Sequence, residues 1–266
     1  MKLGRHARPQ RIAVIAFSDL AQDSRVTRTI QALSDAGHQI LAIGFGDAPR
    51  EASVFVRLPR PARGWPNRIG MALRHAPAAV LPELASILHD LAATNRAARR
   101  ALCDLQPDIV HANDWPTLPA ALAAKATCGA AVVYDSHEFA TEEHAHRRQW
   151  RLLMQSHVGV IEARSLGRVD RVITVSYGIA QALAERYRLT VVPIVIRNVP
   201  RYEPQPFRAM GKPRHLLFHG VLKDYRGNEA IVDALAKLPG YVLTLRGDAT
   251  PTYLAKLDAR IRGNGV

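Results

Sequence analysis

The stretch Ala131-Val132-Val133-Tyr134-Asp135-Ser136-His137-Glu138-Phe139 begins as an apolar run of strand type and ends on a cluster of titratable side chains. In an open parallel sheet the ligand crevice lies outside the carboxyl ends of the strands, so a His and a Glu placed there are aimed into it. An imidazole at such a position can orient a hydroxyl or handle a proton. Two more apolar runs close in the same way, Ile109-Val110-His111-Ala112-Asn113-Asp114 and Arg171-Val172-Ile173-Thr174-Val175-Ser176. The three strand ends predict one shared cleft rimmed by His111, His137 and Ser176. The plainer alternative for His137 is a side chain that merely caps a strand end.

A second chemical feature is Gly220-Val221-Leu222-Lys223-Asp224-Tyr225-Arg226-Gly227, between a strand pattern and a helix pattern. Backbone N–H groups at a helix N-terminus, with Lys223 and Arg226 beside them, make a diphosphate site; the competing assignment is an ordinary glycine turn. Other motifs fail on spacing. Gly44-Phe45-Gly46 lacks the third glycine of a dinucleotide fingerprint, and neither a phosphate-loop motif nor a nucleophile elbow occurs. His137, Glu138, Glu142, Glu143, His144 and His146 do not form a zinc helix, because Thr141 stands where the second His is required, so no metal site is expected.

The elements that must carry these residues alternate. Residues 11–17 read as a strand, 26–33 as one face of a helix preceded by the capping residues Asp23-Ser24, and 39–44 as the next strand. Further strands are expected at 53–58, 107–111, 131–134, 171–176 and 191–196, with helices at 84–105, 118–126, 150–166 and 179–187. Strands alternating with helices predict a doubly wound parallel sheet. The segment 59–82 mixes five prolines with Arg60, Arg63, Trp65, Arg68 and Arg74. That composition suits a surface excursion, a lid, or an interfacial segment on anionic lipid. Residues 201–213 carry a linker signature, after which strands at 216–220 and 241–246 and helices at 229–238 and 252–261 begin a second series.

Composition bounds the partners. The chain of 266 residues is 48% hydrophobic and 22% charged, and Lys plus Arg exceed Asp plus Glu by 36 to 23, a net charge of +13. Such a balance favours nucleotide phosphates, anionic lipid or nucleic acid, and equally fits a solvated basic surface. Nucleic acid ranks lowest, since only 6% of residues are aromatic and no recognised motif accompanies the charge. Cys103 and Cys128 lack metal-ligand spacing and fit a reducing cytoplasm. No window approaches the ~20 apolar residues of a membrane span, so contact with a membrane is expected to be peripheral.

Taken in order, Asp23-Ser24-Arg25-Val26, Asp108-Ile109-Val110-His111-Ala112, Val133-Tyr134-Asp135-Ser136-His137-Glu138, Asp170-Arg171-Val172-Ile173-Thr174-Val175-Ser176, Ile196-Arg197-Asn198-Val199-Pro200 and Phe218-His219-Gly220 resemble the group-1, or family-4, retaining glycosyltransferases. The resemblance covers nearly the whole chain. It implies the GT-B type of α/β fold: a Rossmann-like acceptor domain over residues 1–200, a linker at 201–213, and over 214–266 the first βαβα part of a second Rossmann-like domain that holds a nucleotide-sugar donor. The implied partners are that donor and a glycan or lipid-linked acceptor, with no cofactor and no metal needed for transfer. His137 matches the family's cleft histidine, expected to touch the transferred sugar. Gly220, Lys223, Arg226 and Gly227 fall in the donor-phosphate region, with Val221 replacing an often basic residue. Asp23, Arg25, His111, Asp114 and Glu138 would border the acceptor. The family's paired donor-domain glutamates are matched after the linker only by Glu229, so the chain is expected to be a fragment without transfer activity. Two other classes stay open: a nucleotide-sugar 2-epimerase, and a non-catalytic module that binds nucleotide sugar or an anionic membrane.

Overall fold

A computed structural model describes residues 8–61, 85–200, 202–207 and 209–266. Much of the segment 59–82, with Arg63, Trp65, Arg68 and Arg74, lies outside the described residues, as does the start of the helix expected at 84. The chain divides into two units, Met1–Pro200 and Arg201–Val266.

The first unit is built on seven parallel strands. These are β1 (Arg11–Asp19), β2 (Gln39–Phe45), β3 (Val54–Arg57), β4 (Ile109–Asn113), β5 (Ala131–Ser136), β6 (Arg171–Thr174) and β7 (Ile194–Val195), in the order β3-β2-β1-β4-β5-β6-β7. The strand order reverses between β1 and β4, which places the crevice of a doubly wound sheet there. Both faces of the central strands are covered, which is why β1 and β2 read as continuous apolar runs. Ile12, Val14 and Ala16 face Val26, Ile30 and Leu33 of α1 (Ser24–Asp35). Ala13 and Ile15 lie with Ala98 and Leu102 of α3 (Ala93–Leu105), which follows α2 (Ala85–Asp90), and with Ala121 and Ala124 of α4 (Leu118–Cys128).

On the far side of β5, Tyr134 hydroxyl donates to Glu162 Oε1 at 2.8 Å and Tyr187 hydroxyl to Oε2 at 2.7 Å. These bonds tie β5 to α5 (Ser156–Leu166) and to the end of α6 (Tyr177–Tyr187). Burial pushes the Glu162 carboxyl above its ordinary range, against the two tyrosine donors that favour its ionised form.

Three elements depart from the sequence expectation. The helix expected over 84–105 is broken at Leu91-Ala92: Asn95 Nδ2 caps the His89 carbonyl at 2.6 Å, Thr94 hydroxyl reaches the Pro59 carbonyl at 2.6 Å, and the His89 ring contacts the Pro116 carbonyl at 2.9 Å. Tertiary bonds at the break thus override alanine-rich propensity. The strand expected at 191–196 shrinks to β7, because Pro193 has no N–H to give to the ladder. The helix expected at 150–166 starts as a wide turn over Arg151–Gln155 before becoming α5.

The second unit holds β8 (Arg214–His219) and β9 (Tyr241–Arg246), paired in parallel, with α7 (Asn228–Leu235) and α8 (Pro251–Asn264). Leu222, Val232, Tyr253 and Leu257 form its core with Phe218, Leu243 and Leu245 from one sheet face. On the other, Leu217 is 65% and Val242 41% exposed.

Candidate active site

Strand parity selects the residues that meet. His111 and Asn113 lie two apart on β4, so they share a face; Asp135 and His137 are likewise two apart at the end of β5. The parallel register sets Asn113 opposite Asp135. From the far side of the switch point comes Arg25, in the first turn of α1, whose start is fixed by Asp23 accepting the N–H groups of Arg25 and Val26.

Asp135 is the hub and is fully buried. Its carboxylate takes a bidentate grip from Arg25, Nη2 to Oδ1 at 2.5 Å and Nε to Oδ2 at 2.9 Å. Oδ2 also lies 3.3 Å from His111 Nε2 and 3.6 Å from His137 Nε2. Burial alone would raise this carboxyl, but the bonds from His111, His137 and Arg25 outweigh it and hold the group well below the usual carboxylate range. Arg25 reaches further, donating from Nη1 to the Ile196 carbonyl at 2.8 Å, and Arg28 of the same helix bonds Asn198. The first two turns of α1 therefore clasp the segment Ile196–Asn198 at the end of the first unit.

His137 completes the cluster. Its Nδ1 lies 3.2 Å from Asp114 Oδ2, its Nε2 3.2 Å from Asn113 Oδ1, and its backbone N–H donates to Asp114 Oδ1 at 3.1 Å. Burial disfavours the charged ring, yet the carboxylates of Asp114 and Asp135 prevail and push His137 up to about 10. At neutral pH the site holds His137 as an imidazolium beside the Asp135 carboxylate.

Of the residues expected from the sequence, Arg25, His111, Asp114 and His137 are brought together. Asp23 has its carboxylate engaged as the α1 cap, and Ser176 Oγ accepts the Ile179 N–H as the cap of α6. Glu138 is exposed and takes part through its carbonyl, which accepts from Ser136 Oγ at 2.7 Å. Asp135 and Asn113 were absent from the expected set. The i, i+2 spacing to His137 and His111 was the signal that could have found them. His144 lies against Glu143 at 3.2 Å and edge-on to Trp150, away from any ligand geometry. Among the described residues no group of three or more His, Cys, Asp or Glu is placed to hold a metal ion.

The second unit offers a different surface. Between β8 and α7 the chain turns through Tyr225 and Gly227, both at positive φ, leaving Lys223 and Arg226 exposed. Gly220 must be close to the neighbouring turn, because a Cβ on Gly247 would collide with the Gly220 carbonyl. Lys256 of α8 donates to Asp224 at 2.7 Å and to Glu229 at 2.9 Å, which raises the ammonium and lowers Glu229. No described helix is long and apolar enough to cross a membrane.

Residues 23–198 match the family model of Glycosyltransferase Family 4. No curated protein matches the sequence. Among solved structures, sucrose-phosphate synthase from Thermosynechococcus elongatus aligns with a TM-score of 0.63 at 16% identity, over 96% of this chain and 68% of that one. Anabaena HepE in complex with UDP-glucose aligns with 0.60 at 15% identity, over 96% and 66%. A glycosyltransferase from Rickettsia africae aligns with 0.57 at 13% identity, over 97% and 66%. The chain spans about two thirds of the length of these structures.

Proposed function

Because this chain belongs to glycosyltransferase family 4 and has the parallel-sheet architecture of the GT-B type, we propose that it moves a sugar from a nucleotide-sugar donor to a glycan or lipid-linked acceptor, with retention of configuration and without a metal. The observation that carries this reading is the convergence of Arg25, His111, Asn113, Asp114, Asp135 and His137 at the switch point between β1 and β4. Nucleotide-sugar binding in Anabaena HepE, whose fold this chain shares, supports the choice of donor.

In this reading the first unit takes the acceptor along the ends of β1, β4 and β5, and His137 meets the transferred sugar. Lys223 and Arg226 complement the diphosphate as it departs, acting as an electrophilic clamp. The leaving phosphate itself assists removal of the acceptor proton, so no protein nucleophile is assigned. Asp23 caps α1 through Oδ1 alone, and in this reading it stays among the residues that border the acceptor. Glu229, held by Lys256, is the one glutamate of the second unit beyond the linker residues. For that reason the chain as given is expected to bind donor weakly and to lack measurable transfer.

The test is calorimetric titration with UDP-glucose and UDP, together with transfer assays and product anomer analysis on the full-length protein. Donor binding that needs Lys223 and Arg226, with retained anomeric configuration, supports the proposal. An inverted product, or a full-length protein indifferent to nucleotide sugars, overturns it.

A further inference from the structure

Asn113 and Asp114 fix the hydrogen-bonding state of His137. Asn113 Nδ2 donates to the Ile15 carbonyl at 3.0 Å and lies 3.4 Å from the His111 carbonyl, so the amide has only its oxygen left for the ring. That oxygen faces His137 Nε2 at 3.2 Å, and on the other side a carboxylate oxygen of Asp114 faces Nδ1 at 3.2 Å. An imidazole with an obligate acceptor against each nitrogen carries two N–H groups and is cationic. The buried charge that makes this state self-consistent is Asp135, Oδ2 of which lies 3.6 Å from Nε2. Arg25 grips both oxygens of Asp135, and His111 contacts Oδ2 from β4. Among the described residues, Asp114 from the loop after β4 and Asp135 from β5 face the His137 ring, and Arg25 from α1 and His111 from β4 act on it through Asp135.

We propose that Asp135, braced by Arg25, is a positioning residue that holds His137 as a fixed imidazolium donating from both nitrogens, so that His137 meets the substrate as a permanent cation and not as a proton acceptor. The catalytic meaning of the cation rests on the transferase reading above, but the ring's state does not. The imidazolium offers the cleft its charge while both N–H groups stay with internal partners. It therefore suits electron-rich oxygen, a sugar hydroxyl or a phosphate, approaching the ring. The strong rise of the His137 titration to about 10 agrees with the geometry.

Histidine-selective 15N NMR of this chain reads the state directly. At pH 7.5 both His137 nitrogens should resonate as protonated, and Asp135→Asn should bring the ring's titration down by at least about one pH unit, as loss of a neighbouring opposite charge requires. A neutral ring at pH 7.5 in the unaltered chain overturns the proposal, and so does a titration left unchanged by Asp135→Asn. Should Asp135→Asn fail to fold, Asp114→Asn supplies the test: Asp135 alone must keep the ring protonated at pH 7.5, and a neutral ring there overturns the assignment. In the full-length protein, Asp135→Asn should lower kcat more at pH 8.5 than at pH 6.5, where His137 regains its proton, with KM for donor little changed. Absence of transfer in an otherwise confirmed imidazolium site would count against the enzyme reading alone.

Discussion

The two units handle charge in opposite ways. In the first, Arg25 and Asp135 are withdrawn from water and the half-buried His137 leans on them, whereas in the second Lys223 and Arg226 stand exposed on a turn. Coverage of the sheet is the cause. A sheet with helices on both faces can bury a charge and surround it with fixed partners, and fixed partners shift titrations and lock orientations. The two-stranded sheet of the second unit has one covered face, and Lys223 and Arg226 beside it are exposed.

The largest effect that could break this contrast is on stability. Asp135→Ala should destabilise the first unit by about 3–5 kcal/mol, because it leaves the Arg25 guanidinium buried without its carboxylate. Arg99→Ala removes an ion pair of the exposed kind within the same unit and should leave its unfolding within about 1 kcal/mol. Urea titrations followed by tryptophan fluorescence report the first unit, since Trp65, Trp115 and Trp150 all precede the linker. Equal midpoints for Asp135→Ala and the unaltered chain would erase the distinction between the units.

How much of this was legible follows from physical range. Apolar runs and their breaks depend on neighbouring residues, so the alternating order and the parallel sheet could be read directly. The hub could not, because Asp135 sits inside a segment whose role is decided by partners as distant in sequence as Arg25. The same holds for the break at Leu91-Ala92, imposed by bonds from His89, Thr94 and Asn95 to the surrounding chain. Asp23 shows the intermediate case: its spacing to Val26 announced a cap, and Oδ1 accepts the N–H groups of Arg25 and Val26.

A pH series sharpens the comparison with a smaller effect. The folded-state titration of His137, at about 10, lies above the ordinary histidine value near 6.5. Its contribution is therefore complete below about pH 6.5 and is lost as pH rises through about 10. Asp135 runs the other way: held below its ordinary range, it stabilises above roughly pH 4 and loses that contribution as pH falls through its depressed value. Between pH 7 and 10 the first unit should lose on the order of 3 kcal/mol, and His137→Gln should flatten most of that slope. A His137→Gln chain with the unaltered pH slope would place the titrating group elsewhere.

The smallest effect belongs to the exposed side and tests whether its cations bind at all. Arg226→Ala removes one charge from the turn before α7 without touching a buried partner, so the fluorescence midpoint of the first unit should not move. UDP affinity should fall about three- to tenfold at low ionic strength, the scale of one solvated charge contact. Raising the salt to about 0.5 M should shrink that difference, because the Debye length contracts below the reach of an exposed pair. The buried cluster predicts the reverse pattern, with His137 protonation nearly indifferent to salt. If UDP binding were unaffected by Arg226→Ala at any salt, while Lys223→Ala alone abolished it, the clamp would reduce to a single lysine and Gly227 would serve only to start α7. Should neither change matter, the exposed cations are surface charge, and phosphate recognition must be sought at other groups.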